Sequence, residues 1–139
     1  MLGKDPVGGN QWTPPDDPVF QYLLQEALYG HLPIFFAAVS LPRVRRYAPD
    51  FRPERTEEGP AVVQQIINRW RKGDTPYCWV YPKGELFILS DDYFTLAAAE
   101  LGQPDFIPCW VLGHPSPDGA KDIQGPMKQM DMRKMLGMS

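Results

Sequence analysis

The spacing of apolar positions along the chain switches between a helical period and a two-residue period. Phe20, Leu23, Leu24, Ala27 and Leu28 fall on one face of a helix. Asp17 is placed to cap it, Pro18 suits the first helical position, and Gly30 can turn left-handed after the last turn. An apolar strand is expected from Ile34 to Val39, followed by Ser40-Leu41-Pro42. A second helix is expected from about Pro60 to Lys72, with Val62, Val63, Ile66, Ile67 and Trp70 in one stripe and Gly73 beyond its end. Glu57 and Glu58 precede that helix, and Arg69, Arg71 and Lys72 close it. These signs match the helix dipole at both ends.

After Gly73 the period becomes two. Tyr77 to Tyr81 is expected as a strand, Pro82-Lys83-Gly84 as a turn, and Leu86 to Leu89 as a second strand. Ser90 is expected to cap a third helix over Asp91 to Leu101, ended by Gly102, and a last strand runs from Phe106 to Leu112. Two strands echo each other, as Cys78-Trp79-Val80 and Cys109-Trp110-Val111. In each, Cys and Val share one face and Trp takes the other. Both faces are then apolar, which implies cover on both sides. A hairpin combined with helical crossovers predicts an α+β (mixed α/β) domain with a small mixed sheet. Pro and Gly crowd residues 1–17 and 114–126, so 1–17 is expected as an irregular arm. Residues 18–113 form the single core domain, and 114–139 a Pro/Gly linker with a Met-rich tail.

Composition changes this picture little. The 139 residues carry 17 acidic against 14 basic side chains, a net charge of −3, which speaks against a general nucleic-acid binder. The aromatic content, 12%, demands burial and excludes disorder throughout. The longest apolar run, Leu32 to Val39, is broken by Pro33 and falls far short of the roughly 20 residues of a spanning helix. Nothing at the start reads as a signal peptide, and two cysteines make no disulfide framework. A cytoplasmic protein with buried thiols is the expectation.

The order of elements and one stretch carry a resemblance. Phe87-Ile88-Leu89-Ser90-Asp91-Asp92-Tyr93-Phe94 leads into a helix ending at Leu101-Gly102, then Ile107-Pro108-Cys109-Trp110-Val111, with Val39-Ser40-Leu41-Pro42-Arg43-Val44 upstream. Residues 37–113 resemble the ParB N-terminal and sulfiredoxin-like family in architecture. The resemblance implies a loop at 90–94 that would cradle a nucleotide phosphate. The family's loop glycine falls at Asp91 and its arginine at Phe94, and no cysteine stands where sulfiredoxins carry the catalytic one. The copy is thus expected to have lost that chemistry, because carboxylates at a helix mouth repel phosphate.

Candidate sites are then few. Ser90, Asp91 and Asp92 read either as a helix start or as a loop site for a nucleotide- or metal-dependent enzyme. Arg43, Arg45, Arg46, Arg52 and Arg55, interleaved with Tyr47 and Phe51, make a locally basic segment. It reads as a partner-binding surface, or as a solvated connection whose arginines pair with Glu57 and Glu58. Met132, Met135 and Leu136 sit at docking-helix spacing, and the alternative is a tail folded on its own domain. His31, His114, Cys78 and Cys109 match no zinc spacing, so no metal and no cofactor is expected. The reading from sequence is a non-catalytic interaction module that binds a protein through the arginines and tails. A nucleotide- or metal-dependent enzyme and a DNA-binding accessory protein are the alternatives, and homo-oligomerisation is left open.

Overall fold

The computed structural model describes residues 15–121 and 123–130. Its centre is a mixed six-stranded sheet in the order β2-β4-β3-β5-β1-β6. The strands are β1 (Ile34–Ser40), β2 (Val44–Arg46), β3 (Cys78–Lys83), β4 (Leu86–Asp91), β5 (Phe106–Leu112) and β6 (Ile123–Met130). The helices are α1 (Pro18–Leu28), α2 (Gly59–Arg71), α3 (Tyr93–Gly102) and a single turn, α4 (Pro117–Ala120). β2 lies parallel to β4 and β3 parallel to β5, while β3–β4, β1–β5 and β1–β6 are antiparallel. No helix among the described residues is long and apolar enough to cross a membrane.

The two Cys-Trp-Val strands set the faces. They pair in register, Cys78 opposite Cys109, Trp79 opposite Trp110 and Val80 opposite Val111. Both Cys and both Val pack into one cluster with Phe87, Leu89 and Leu96 of α3, whereas both Trp join a second cluster with Ile34, Leu112 and the apolar side of α1. The sheet is therefore covered by α3 on one face and by α1 on the other. α2 packs outside α3, with Val63 and Ile66 against Ala97 and Ala98. A β-carbon at Gly59 would collide with the carbonyl of Pro53 and the backbone of Glu54. Only glycine lets the start of α2 press that closely on the 3₁₀ turn Pro53–Arg55.

α1 is tied to the sheet by its own cap. Asp17 is only 3% exposed. One carboxylate oxygen accepts from the N–H groups of Val19 (3.0 Å) and Phe20 (3.2 Å). The other accepts from the hydroxyls of Tyr81 (2.9 Å) and Ser90 (2.6 Å), on β3 and β4. The ladder between β3 and β4 slips by a residue between Trp79 and Val80, so Ser90 has no opposite number. Such a bulge can re-aim a side chain, here toward Asp17.

Several expectations are corrected here. Asp17 belongs to the core rather than to an arm. Pro82 and Lys83 lie in β3, and the turn falls on Gly84 and Glu85, with Gly84 at φ 61°. β4 continues through Ser90 and Asp91, so Asp92, not Ser90, caps α3. The last helical residue is Gly102, and Gln103 takes the left-handed conformation. Part of the stretch expected as linker and tail is the edge strand β6, which pairs along β1. Its ladder shifts register near Gly125 (φ 71°), and its polar residues hid it from a search for apolar alternation. Met127 and Met130 pack on the domain's own two clusters.

Replacing Asp17 by Ala strips two helix N–H groups and two buried hydroxyls of their acceptor. The expected loss is about 2–4 kcal/mol of unfolding free energy, read from urea denaturation. Tyr81→Phe, which removes a single donor, should cost about 1 kcal/mol.

Candidate functional site

The three residues grouped in the loop point to three different places. Ser90 faces α1 and donates to Asp17. Asp91 ends β4 and is exposed. Asp92 has extended backbone (φ −104°, ψ 117°) and turns its carboxylate onto the helix it precedes. One oxygen accepts from the N–H groups of Phe94 (3.0 Å) and Thr95 (3.3 Å), and the other from the Thr95 hydroxyl (3.0 Å). Two of the backbone donors that an anion would use at this helix mouth are thus already taken by the chain itself. The Asp91–Asp92 peptide bond is cis. Partial burial raises the Asp91 carboxyl above the usual carboxylate range, and the charge of Asp92 adds to the shift.

The arginine segment is less open than its sequence implies. Arg46, in β2, has a side chain only 6% exposed. It donates both terminal nitrogens to Glu100 of α3, at 2.8 and 2.6 Å, and lies 3.6 Å from Glu54. This planar fork is the strong form of an ion pair. It holds the Glu100 carboxyl below the ordinary glutamate range, with Arg52 and Arg55 contributing. Arg46 is therefore a brace between β2 and α3, not a contact surface. Arg52 donates to the Pro49 carbonyl (3.0 Å) and pairs with Glu54 (3.5 Å) and, at 4.0 Å, with Glu100. Arg43 reaches Glu85. The pairing partners are Glu54, Glu85 and Glu100 rather than the expected Glu57 and Glu58. Arg45 is exposed and bonds only to the local carbonyls of Pro42 and Val44. Arg55 is exposed, and its guanidinium makes no hydrogen bond or ion pair to a described residue. Phe51 is turned inward, edge-on to Tyr93 at 5.1 Å, which leaves Tyr47 as the exposed aromatic of the segment. Met132, Met135 and Leu136 lie outside the described residues.

A cleft of about 480 Å³ opens where this segment meets α2 and α3. Arg52, Glu54 and Arg55 line it from the segment, the buried Val63 from α2, and the buried Ala97 with Glu100 and Leu101 from α3. Sequence reasoning missed Glu54, Glu100 and Leu101. The acid that neutralises Arg46 lies 54 positions away, a distance that no local pattern reports. A leucine closing the run Ala97-Ala98-Ala99-Glu100-Leu101 was the one signal in the sequence.

The histidines and cysteines separate completely. His31 and His114 share a second hollow of about 700 Å³ with Tyr29 and Gln129. There His31 lies 3.5 Å from Glu26 and the His114 ring sits 5.1 Å from that of Phe35. Cys78 and Cys109 are buried in the sheet, and burial pushes both thiols well up, the opposite of an activated nucleophile. Among the described residues no group of three or more His, Cys, Asp or Glu could hold a metal ion. No family model matches the chain, and no curated protein matches it.

The two shifted carboxyls give opposite pH behaviour. Glu100 has a lowered folded pKa, so its ionised form stabilises the fold above the ordinary glutamate range. That contribution is lost as pH falls through the lowered value. Asp91 has a raised folded pKa, so its ionisation weakens the fold as pH rises through that value. Glu100→Gln should therefore flatten the loss of stability between neutral pH and about pH 3, whereas Asp91→Asn should raise the neutral-pH denaturation midpoint. A rise with Glu100→Gln at neutral pH would contradict the brace.

Proposed function

We propose that this chain is a non-catalytic interaction module on a ParB/sulfiredoxin-like scaffold, and that it recognises a protein partner through the outward arginines of residues 43–55. The observation that carries this reading is the state of the α3 N-terminus. Asp92 satisfies the Phe94 and Thr95 N–H groups, and the exposed Asp91 adds negative charge at the same mouth. A phosphate group would meet carboxylates where the family's chemistry needs free N–H donors and a cation. Residues 78–112 form a strand, turn, strand, helix and strand, the order of elements expected from the sequence.

The arginines offer what the loop does not. Arg45 and Arg55 are exposed on an anchored segment, and Tyr47, between them in sequence, is 38% exposed. A loop fixed by its own buried brace presents side chains at little entropic cost, and arginine with tyrosine is the composition that interfaces favour.

Calorimetric titration with nucleoside triphosphates and with Mg²⁺ should show no saturable binding. Affinity capture from the native cell should retain a protein that the double variant Arg45→Glu, Arg55→Glu loses, with binding weaker by about tenfold or more and the thermal midpoint lowered by no more than a few degrees. Saturable nucleotide or Mg²⁺ binding that Asp91→Asn abolishes in a folded protein would assign the loop a ligand and overturn the reading.

A further inference from the structure

We infer that the cleft between α2, α3 and the turn Pro53–Arg55 is the docking site for an acidic, amphipathic peptide segment of the partner protein. This deepens the interaction-module reading and rests on it. Three observations converge on the cleft. Its lining includes the buried, apolar Val63 and Ala97, where the two helices meet. Its wall carries Leu101, which at 71% exposed is the most exposed large apolar side chain among the described residues. Its rim carries Arg55, whose guanidinium has no ion pair with a described residue and reaches Glu100 only through its field.

The charge balance decides the sign of the ligand. Glu54 and Glu100 line the cleft, but the buried Arg46 and the lining Arg52 already pair with them. The lining itself carries Arg52 and Arg55 against Glu54 and Glu100, and because the buried Arg46 behind it already pairs with both glutamates, Arg55 is left without an ion pair to a described residue. An incoming carboxylate pairs with Arg55 without breaking an existing pair, whereas a cationic ligand would have to displace Arg46 or Arg52. Glu57 and Glu58 are exposed next along the chain but do not line the cleft. The volume, about 480 Å³, suits a few side chains of a peptide rather than a flat protein face. A polynucleotide would need several free cations in a row, which this rim lacks.

The test uses the full chain and a fluorescein-labelled peptide of leucine and glutamate in a helical repeat, followed by fluorescence anisotropy. Binding should saturate and should weaken about tenfold or more for the same peptide with lysine in place of glutamate. Arg55→Glu and Leu101→Glu should each weaken it by a similar factor. Circular dichroism of both variants and the thermal midpoint of Leu101→Glu should match the parent, while Arg55→Glu, which reverses a charge whose field reaches Glu100, should lower the midpoint by no more than a few degrees. Absence of saturation with the leucine–glutamate peptide overturns the inference. So does equal affinity for the lysine peptide or for a single-stranded oligonucleotide. A captured partner that the double arginine variant loses but Leu101→Glu keeps in full overturns the cleft and leaves the module reading intact. Nucleotide binding at the Asp91 loop sinks the module reading itself.

Discussion

A single buried carboxylate holds the layers of this protein in register. Asp17 accepts four hydrogen bonds: two from the first turn of α1, one from β3 and one from β4. A carboxylate taken out of water is costly unless every lone pair finds a donor, and here the donors come from three different elements. The cost is offset only when helix and hairpin are both in place. The same group therefore stabilises the native arrangement and penalises any arrangement in which α1 shifts along the sheet. The bulge at Ser90 and the burial of Tyr81 follow from this requirement, since both hydroxyls must point at one spot. The raised Tyr81 pKa reports the same burial and the same neighbour.

The opposite face has a second polar tie with different consequences. α3 packs on the sheet through Leu96, Ala99 and Tyr93, and its Glu100 adds the polar tie to Arg46 of β2. The connection that follows β1 buries Val44 and Pro53 and turns Phe51 inward, and its polar hold is Arg46 forked onto Glu100, together with the hydrogen bond from the Ala48 N–H to the Tyr93 hydroxyl. The Arg46 Nε and one oxygen of Glu54 remain buried without partners. This is a less complete solution than Asp17. It nonetheless fixes the turn at 53–55 against α2 and shapes the cleft beside it, so the same arginine run that builds the scaffold supplies its outer surface.

Much of the fold was legible because it is written in local periods. The α1 pattern from Asp17 to Gly30, the α2 stripe and the paired Cys-Trp-Val strands all appear where side-chain spacing placed them. What escaped depends on partners remote in sequence. β2 is three residues of Val-Arg-Arg whose strand character exists only beside β4. β6 contains Gly125, Gln124, Lys128 and Gln129 and has no amphipathic signature, because an edge strand need not bury its outer half. Ser90-Asp91-Asp92 carries two plausible caps, and only the bulge against β3 decides that Asp92 takes the role. The arginine segment could be seen as basic, but which arginine faces inward was set by Glu100, on an element whose position the sequence alone does not give.

The topology has a consequence for the order in which the molecule can be assembled. β1 lies between β5 and β6, so Ile34 pairs with Leu112 and with Met130 and finds no neighbour among the strands that immediately follow it. β2 likewise waits for β4. During synthesis, β1 must therefore emerge and remain unpaired until most of the remaining chain has followed, while β3, β4 and α3 can associate as soon as they are made. Loop closure over such separations is slow and leaves strand edges open meanwhile. Ile34-Phe35-Phe36-Ala37-Ala38-Val39 is the most apolar stretch of the chain, so the interval before β5 arrives is when the protein has greatest need of a chaperone.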